Sequence, residues 1–588
     1  MNFKRILALL VCLILFATIF CSCKKATPSI NSESNSKIDV SSNSEIVTSN
    51  ESLLDSSGQV LSSSNATSKV NSGNSSNYNT VVKKVFSPAI NITMIRSTTS
   101  TMEADLAKTT NHETSTNNRF NKLFLDKLGI NIKYEWVAKD EVYGQKLNLD
   151  LATGKMPDFV AVNSSQVKQL YLAGLIQDMT QVYNNYASAE TKKIMETEGK
   201  GAFTAVTFDK KLMAIPSTWG SYDRAQFIWI RNDWLKKLGL GAPKSMEDVI
   251  NIAAKFTNND PDGNGLKDTY GLGLQKDFRN STGGIIGFVN GYNAFIDTWI
   301  PDSSGNLMLG DLSPNMKTAL LSLHDMYKNG YISLEFGVAD TSKIASQIAN
   351  NKVGMFYGEH WMPLYPLQDS YNLNPNADWK AYPIVGVGGS SVKNQLPIGT
   401  TSFWVAKKTT KYPEAIMMMI DLQYSNKDPY YYRSVDAPNA WWFSPIQIQD
   451  PLVNVKTLDA VQGCLKGADA SKLGPIDSGI WSQIQKFKNG DKTYWNMWAI
   501  YGDEGNSISI LKKYIDNNLF FRSPFVAAPT DSMIKKGDTL TKLKDTVYTK
   551  IIIEDGGAAV YDKFVNDWKN LGGNDITKEI NDWYSKNK

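Results

Sequence analysis

The sequence predicts an α/β protein whose body folds into two lobes. Between residues 89 and 162, apolar strand-type segments and amphipathic helices alternate in the order strand, helix, strand, helix, strand. The same alternation returns in the segments 353–358, 381–387 and 413–425. The chain has 588 residues, of which 42% are hydrophobic, so it is long enough to build two such units.

The first elements of the body follow from side-chain periodicity. Ile90 and Ile92 alternate with polar residues, which predicts a strand over 89–97. Apolar residues three or four positions apart predict a helix over 117–130 that ends at Gly129. The next predicted elements are a strand at 131–137, a helix at 144–153 and a strand at 156–162.

Further strands are predicted at 212–216 and 227–230, and further helices at 234–240 and 246–256. This order of elements predicts a mostly parallel sheet covered by helices in each lobe.

The first 22 residues have the layout of a secretory signal peptide. Lys4 and Arg5 precede an apolar run from Ile6 to Phe20, which is too short for a confident membrane span. The end of this segment resembles a bacterial lipoprotein signal, in which a small residue precedes the lipidated cysteine. Because Ser22 precedes Cys23, we expect lipidation at Cys23. The alternatives are a plain secretory signal or an uncleaved anchor.

Residues 23–84 are dominated by serine, asparagine and other small polar side chains, and the first aromatic residue is Tyr78. Such a composition cannot bury enough apolar surface to offset chain entropy, which predicts a disordered tether. The tether would carry a folded body, residues 85–588, away from the membrane.

Composition excludes several functional classes. The chain has 62 basic and 58 acidic residues, a formal charge of +4, so it offers no broad field for nucleic acid. It has four cysteines and three histidines, with no C-x-x-C, H-E-x-x-H, G-x-S-x-G or P-loop motif. A zinc hydrolase, an α/β-hydrolase and an ATPase are therefore disfavoured. A glycosidase with two carboxylates remains open.

One loop has the spacing of a calcium site. Oxygen donors stand at positions 1, 3, 5, 7 and 9 of an EF-hand-like loop: Asp260, Asp262, Asn264, the carbonyl of Leu266, and Asp268. Gly265 at the sixth position allows the sharp turn, whereas Gly271 replaces the usual glutamate at the twelfth. We expect a structural calcium ion here; the alternative is a metal-free turn.

The fifteen tryptophans are a second indication of function, of a sugar-binding site. Sugar rings pack against aromatic faces, while polar side chains bind the hydroxyl groups of the sugar. To choose candidates, we take the residues that follow predicted strands or predicted lobe crossings. The predicted ligand-binding residues are Trp361, Glu359, His360, Trp219, Arg224, Trp299, Trp441, Trp442 and Trp404. For any single tryptophan the alternative is core packing, and Glu359 with His360 could also form an acid–base pair.

Six segments in a fixed order carry a family resemblance: LATGKMPDFVAV, KLMAIP, FIWIRNDWLKKLGL with APKSMEDV, NNDPDGNGLKDTYGLG, NKVGMFYGEHWMP and YDKFVNDWKNLGGNDITKEINDWY. Together they resemble the extracellular solute-binding lipoproteins (family 1) of bacterial carbohydrate ABC transporters. The resemblance covers essentially all of 85–588.

The resemblance implies a periplasmic-binding-protein-like fold of type II, with hinge strands between two lobes and a ligand cleft. Lobe 1 is expected at about 85–216 and 400–445, and lobe 2 at about 217–399 and 446–588. The chain would cross near 215–219, 399–403 and Pro445. Some members of the family carry a structural calcium in the loop noted above, and related proteins place a sugar-stacking aromatic where Trp361 stands.

The leading hypothesis is a non-enzymatic, monomeric receptor, lipid-anchored on the extracellular face of the cytoplasmic membrane. It would capture an oligosaccharide and deliver it to the permease subunits of an ABC transporter, without binding nucleic acid. The alternatives are a surface glycoside hydrolase, or a peptide- or signal-binding lipoprotein on the same scaffold.

Overall fold

The computed structural model describes residues 85–588, apart from 427, 433–436, 438–439 and 503–504. The predicted signal peptide, Cys23 and the predicted tether lie outside the described residues. The strands are β1 Ile90–Thr98, β2 Ile130–Lys139, β3 Phe159–Val162, β4 Thr207–Phe208, β5 Lys211–Leu212, β6 Ile215–Pro216, β7 Phe227–Arg231, β8 Tyr270–Gly273, β9 Trp299–Pro301, β10 Leu307–Leu309, β11 Val353–Gly358, β12 Trp379–Pro383, β13 Asn394–Leu396, β14 Phe403–Ala406 and β15 Phe520–Arg522.

The helices are α1 Ser100–Lys108, α2 Arg119–Leu128, α3 Asp140–Ala152, α4 Ser164–Leu172, α5 Thr180–Tyr186, α6 Ala189–Met195, α7 Gly201–Thr204, α8 Asn232–Lys237, α9 Met246–Asn258, α10 Ile286–Asn290, α11 Pro314–Lys328, α12 Thr341–Ala349, α13 Gln368–Leu373, α14 Glu414–Ser425, α15 Val453–Leu465, α16 Pro475–Lys488, α17 Trp495–Met497, α18 Ser507–Asp516, α19 Asp531–Ile553, α20 Gly557–Trp568 and α21 Asn574–Asn587.

Local sequence signals explain where these elements begin and end. In α2, Phe120, Phe124 and Leu128 recur on one face and are buried in the core. Asn118 caps the amino end of the helix by accepting a hydrogen bond from the backbone. Gly129 ends it in the left-handed conformation, at a φ of 68°, as the sequence predicts.

A first hydrophobic core defines lobe 1, which comprises the residues around it between Phe86 and Ile215 and between Phe403 and Ile446. Its central sheet places β14 between β3 and β6, antiparallel to both. Strands β1 and β2 pair in parallel, and β1 lies next to β3.

Two further cores define lobe 2, whose core residues lie between Ala225 and Leu396 and between Leu458 and Ile580. Its sheet has the order β12-β7-β11-β8, in which β7 runs antiparallel to β12 and β11 while β8 runs parallel to β11. The long helix α19 packs against α11 and α20 on this lobe.

Three connections between the lobes run side by side. The backbone N–H of Ser217 donates to the carbonyl of Ser402 at 2.9 Å, and that of Trp219 donates to Gly399 at 3.2 Å. On the other side, Gln449 N–H donates to the carbonyl of Thr218 at 2.9 Å. The segment 217–219 is therefore the middle strand of a three-segment hinge.

The prediction of a mostly parallel sheet is wrong. Lobe 1 has an antiparallel centre and lobe 2 a mixed sheet. The hinge is the physical reason: β6 leaves lobe 1 at the edge where β14 enters it, so the two strands run in opposite directions. Alternation of helices and strands in the sequence does not reveal that a later strand re-enters a sheet in the opposite direction.

Among the helices of the described residues, none combines the length and the apolar character that a membrane span requires.

Candidate functional site

A cavity of about 940 Å³ lies between the two lobes and falls in the size range of ligand sites. Lobe 1 contributes side chains from α2, α6 and α14, including Phe120, Ile194 and Tyr424. Lobe 2 contributes the segment after β11 and residues from α15 to the helical turns after α17, including Trp361 and Tyr501. The hinge borders the cavity, so opening of the hinge would open the site.

Six of the nine predicted ligand residues line this cavity. They are Trp219, Arg224, Glu359, His360, Trp361 and Trp441. The strand β11 is fully buried and ends at Gly358, which places the next three residues at its carboxyl end and at the cavity wall.

Glu359 is the organising side chain of this wall, with only 4% of its surface exposed. One carboxylate oxygen accepts a hydrogen bond from the indole Nε1 of Trp361 at 2.6 Å, and the other accepts from Arg224 Nη1 at 3.2 Å. Its backbone carbonyl accepts a hydrogen bond from the buried Trp229 indole at 3.1 Å. Trp361 is thereby held half-buried, with its ring at the cavity.

Burial raises the pKa of Glu359, and this outweighs the lowering by Arg224 and by the Trp361 hydrogen bond. Both carboxylate oxygens accept hydrogen bonds, which favours the ionised form, but removal of the carboxylate from water opposes that form and is the larger effect.

A second carboxylate, Asp223, joins the polar wall to the hinge. His360 Nε2 lies 3.3 Å from Asp223 Oδ1, and Asn454 Nδ2 donates to the same oxygen at 2.9 Å. Gln449 Nε2 donates to Oδ2 at 3.3 Å. Tyr501 OH completes the chain by donating to Asn454 Oδ1 at 2.6 Å.

Trp219 and Trp441 form an aromatic part of the cavity lining. The rings of Trp219 and Trp441 lie 5.7 Å apart between centroids, tilted by 51°, and both are half-buried. The hydroxyl of Thr218, in the hinge, pairs with that of Tyr424, which also lines the cavity. Burial raises the pKa of Tyr424, so its hydroxyl stays a neutral donor or acceptor at physiological pH.

Three predicted ligand residues do not reach the cavity, and these predictions are corrected. Trp299 opens β9 and is 5% exposed within a core of lobe 2. Trp404 lies in β14 and is 4% exposed in the core of lobe 1. Trp442 packs against that core while its neighbour Trp441 faces the cavity. Burial of the large apolar surface of a tryptophan on a core strand stabilises the fold. Because adjacent residues point in different directions, one of two neighbouring tryptophans can pack in the core while the other does not.

Sequence reasoning missed Asp223, Gln449, Asn454 and Tyr501. Asp223 adjoins the predicted Arg224 directly after the first hinge strand, so the same positional argument could have found it. The other three come from the third hinge segment and from lobe 2 helices that are distant in sequence, where no motif marks them.

The predicted calcium loop folds as a tight turn around Asp260. Its two carboxylate oxygens accept backbone hydrogen bonds from Gly263, Asn264 and Gly265 at 2.9–3.0 Å. Asn264 Nδ2 donates to Asp262 at 2.9 Å and to Asp268 at 3.3 Å, which draws the three side chains together.

The donor chemistry of this loop fits calcium. Asp262 Oδ1 is buried without a hydrogen-bond partner, and Leu266 leaves its carbonyl on an exposed turn. Lys352 pairs with the other side of Asp268. Among the described residues, no three histidine, cysteine, aspartate or glutamate side chains converge as metal ligands. A calcium ion here would therefore also need the Asn264 and Leu266 oxygens.

The chain belongs to the family of bacterial extracellular solute-binding proteins, whose sequence profile matches residues 109–428. It is 23% identical over 501 residues to lipoprotein LipO of Bacillus subtilis (strain 168), covering 78% of this chain and 87% of LipO. It is 22% identical over 475 residues to the polygalacturonan/rhamnogalacturonan-binding protein YtcQ of the same organism, covering 77% and 85%.

Among solved structures, it is similar to the ABC-transporter substrate-binding protein FusA of Streptococcus pneumoniae. The FusA complex with kestose has a TM-score of 0.57 at 16% identity, covering 84% of this chain and 99% of FusA. The FusA EF-hand mutant in complex with fructo-nystose has a TM-score of 0.58 at 14% identity, with the same coverage. The family resemblance and the two-lobed α/β fold class predicted from the sequence are confirmed.

Proposed function

We propose that this protein is a receptor, lipid-anchored at Cys23 on the extracellular face of the cytoplasmic membrane. It captures an oligosaccharide and delivers it to the permease subunits of an ABC transporter, as a monomer. The observation that carries the proposal is the cavity between the lobes, where aromatic faces and hydrogen-bonded carboxylates converge. Membership of the solute-binding family and the names of YtcQ and FusA support it.

Two kinds of side chain in the cavity suit sugar binding, aromatic rings and polar groups. Trp361, Trp219 and Trp441 present half-buried ring faces on which pyranose or furanose C–H groups can stack. Asp223, Arg224 and His360 supply donors and acceptors for hydroxyl groups at the same depth. This mixture is suited to a ligand with apolar faces and a polar rim.

The hinge couples binding to delivery. Because the cavity walls come from different lobes, a bound sugar interacts with both only when they approach each other, and it therefore favours the closed form. A permease that docks the closed form would accept occupied receptors in preference to empty ones. The ligand leaves unchanged, so this function requires no catalytic residue.

A glycoside hydrolase is the main alternative, and the environment of Glu359 disfavours it. A catalytic acid must reach the glycosidic oxygen, yet both oxygens of Glu359 are occupied by Trp361 and Arg224 and the side chain is buried. Incubation of purified protein with oligosaccharides tests this point, since release of shorter products would support the hydrolase instead.

We also propose that the loop from Asp260 to Asp268 holds a structural calcium ion. The buried, unpartnered oxygen of Asp262 and the EF-hand-like spacing support the proposal, as does the existence of a FusA EF-hand mutant, which indicates a loop of that type in a similar protein. When bound, the ion would stabilise the turn between α9 and β8; Asp260, Asp262, Asn264, Leu266 and Asp268 would hold it.

The experiment that tests the receptor function is a binding titration of Trp361→Ala against a matched control. Trp136 is also half-buried and also donates its indole N–H to a carboxylate, that of Asp150 at 2.7 Å, but it lies outside the cavity. We expect Trp361→Ala to bind a sugar at least about tenfold more weakly than wild type with a near-normal melting temperature.

Trp136→Ala should bind as the wild type does. If Trp361→Ala melts early while its folded fraction binds normally, Trp361 is a packing residue and the site is misplaced. If no oligosaccharide binds the wild type in calorimetry or tryptophan fluorescence, the receptor function itself fails.

A further inference from the structure

We infer that the cleft selects neutral oligosaccharides and rejects those that carry carboxylates, such as uronate oligomers. The inference rests on the proposed function and specifies its substrate class. Family membership does not decide the matter, because YtcQ is named for polygalacturonan, a polyanion, whereas FusA was solved with kestose, which has no carboxylate.

The charge of the cavity wall carries the argument. Among the described residues, the wall has more carboxylates than lysine and arginine side chains. The carboxylates are Glu190, Asp223, Glu359, Asp450 and Asp477. The cations are Lys193, Arg224 and Lys456. This excess of carboxylates over cations gives the cavity a negative potential, which opposes binding of an anion.

Two of the three cations are already paired with wall carboxylates. Arg224, which is 58% exposed, contacts the buried Glu359 at 3.2 Å. Lys456 forms an ion pair with Asp450. Binding of a ligand carboxylate by either cation would have to compete with a partner that is held in place by the fold. Lys193 is an exposed side chain of α6 at the lobe 1 side of the cavity and cannot offset the other charges alone.

Asp223 discriminates between a hydroxyl and a carboxylate of the ligand through hydrogen bonding as well as through charge. His360 and Asn454 both contact Oδ1 of its carboxylate, whereas Oδ2 accepts only from Gln449 and retains capacity to accept another hydrogen bond. A sugar hydroxyl can donate to that oxygen. A ligand carboxylate at the same position has no proton to donate, and it would place two like charges in contact.

The test uses pairs of tetrasaccharides that share a backbone and differ only at C6. The pairs are α-1,4-galactotetraose with tetragalacturonate, cellotetraose with its C6-oxidised form, and β-1,4-mannotetraose with tetramannuronate; kestose is added as a further neutral sugar. Affinities are measured by calorimetry at low and high sodium chloride concentration. We expect at least one neutral sugar to bind, and its oxidised partner to bind at least about thirtyfold more weakly.

Affinity for the neutral sugar should hardly change with salt, because no ligand charge is screened. A uronate that binds more tightly than its neutral partner, with an affinity that falls as salt rises, overturns the inference and leaves the receptor function intact. Binding of none of these sugars counts against the receptor function, and the inference falls with it.

A charge-neutralising variant tests the role assigned to Asp223. The ratio of the affinity for the neutral sugar to the affinity for its oxidised form should be about tenfold smaller in Asp223→Asn than in the wild type. A general loss of affinity would lower both affinities and leave this ratio unchanged. The control is Asp459→Asn, an exposed aspartate of α15 outside the cavity, which should keep the wild-type ratio. An unchanged ratio in Asp223→Asn would remove Asp223 from the discrimination.

Discussion

At the residue scale, the cleft contains a buried carboxylate whose two oxygens hold two side chains of the cavity lining. Glu359 fixes the indole of Trp361 on one side and the guanidinium of Arg224 on the other. Burial of a charge is costly, and the cost is offset only while both donors remain in place. Glu359 is therefore a positioning residue, which prepares Trp361 and Arg224 before the ligand arrives.

This arrangement predicts that ligand affinity falls in acid. As the pH drops through the raised pKa of Glu359, protonation removes an acceptor and releases Trp361 or Arg224. Wild-type affinity, measured by tryptophan fluorescence between about pH 4 and pH 7, should decline towards the acid end. Glu359→Gln should bind more weakly at neutral pH and lose this dependence. His360 is also adjacent to Glu359, so His360→Asn serves as the control and should retain the dependence.

The effect of Glu359 on stability has the opposite sign. Its folded-state pKa is raised, so the folded protein binds the proton more tightly than the unfolded chain. The stability contributed by protonation is present below the unfolded pKa and is lost as pH rises through the raised value. We therefore expect the difference in melting temperature between Glu359→Gln and the wild type to favour the variant most at neutral pH. There the variant should melt at a higher temperature than the wild type, or have its smallest deficit. A larger deficit at neutral pH than in acid would contradict this account.

At the scale of elements, the loop between α9 and β8 predicts a calcium-dependent stability. An ion bound only by the folded state adds about 2.7 kcal/mol when its free concentration is about 100 times its dissociation constant. A chelator should therefore lower the melting temperature of the wild type by several degrees. Asp262→Ala removes a ligand and leaves the three backbone hydrogen bonds to Asp260 in place, so it should abolish the response.

Elemental analysis of the purified protein provides the independent readout for this site. About one calcium per chain is expected in the wild type and much less in Asp262→Ala. A wild type that carries no metal and does not respond to the chelator would leave the loop as an Asx/Gly turn.

A second element-scale prediction concerns α19, which anchors the carboxyl-terminal helices to lobe 2. Lys544 is 4% exposed on this helix, forms an ion pair with Asp297 and lies 3.3 Å from the fully buried Asp311. Tyr548, one turn further, donates to Asp311 at 2.9 Å. Burial lowers the pKa of Lys544 and raises that of Asp311, so removal from water disfavours the charged form of both groups.

Lys544→Met should cost about 3–5 kcal/mol of unfolding free energy, because it leaves the fully buried Asp311 without the cation that lies 3.3 Å from it. Lys542→Met, on the exposed face of the same helix, should change stability by less than about 0.5 kcal/mol. Denaturant unfolding of the two variants measures the difference. If both variants behave alike, the buried ion pair does not support the helix.

At the scale of the whole molecule, the three hinge segments determine how the lobes move. They are joined by a few backbone hydrogen bonds through Ser217, Thr218 and Trp219, whereas each lobe has a large core of its own. Changes of φ and ψ concentrated in such a hinge can move one lobe against the other without disturbing either core.

The hinge predicts a more compact protein in the bound state. Small-angle X-ray scattering should show a decrease in the radius of gyration when a saturating neutral oligosaccharide is added. Trp361→Ala should scatter like the free protein when the oligosaccharide concentration lies below the dissociation constant of the variant. Unchanged scattering of the saturated wild type would mean that the lobes are already closed before binding, and the coupling of transport to occupancy would need another basis.

Much of the fold could be predicted because it follows from local periodicity. The strand at Ile90–Thr98, the helix at Arg119–Leu128 with its end at Gly129, and the buried strand Val353–Gly358 all lie where side-chain spacing places them. The mixed strand directions could not be predicted, because a hydrophobic pattern records which face is buried and not which neighbour a strand joins.

The sequence by itself determined the class of protein: the order of its segments defines the solute-binding family, and the position after a buried strand marked Glu359, His360 and Trp361 as cavity residues. Only the tertiary structure decided which tryptophans line the cavity and which pack in a core. Trp441 faces the cavity, Trp442 the core of lobe 1, and Trp299 that of lobe 2. The physical reason is that a tryptophan gains about as much from burial in a core as from a binding surface, so residue type alone does not separate the two roles.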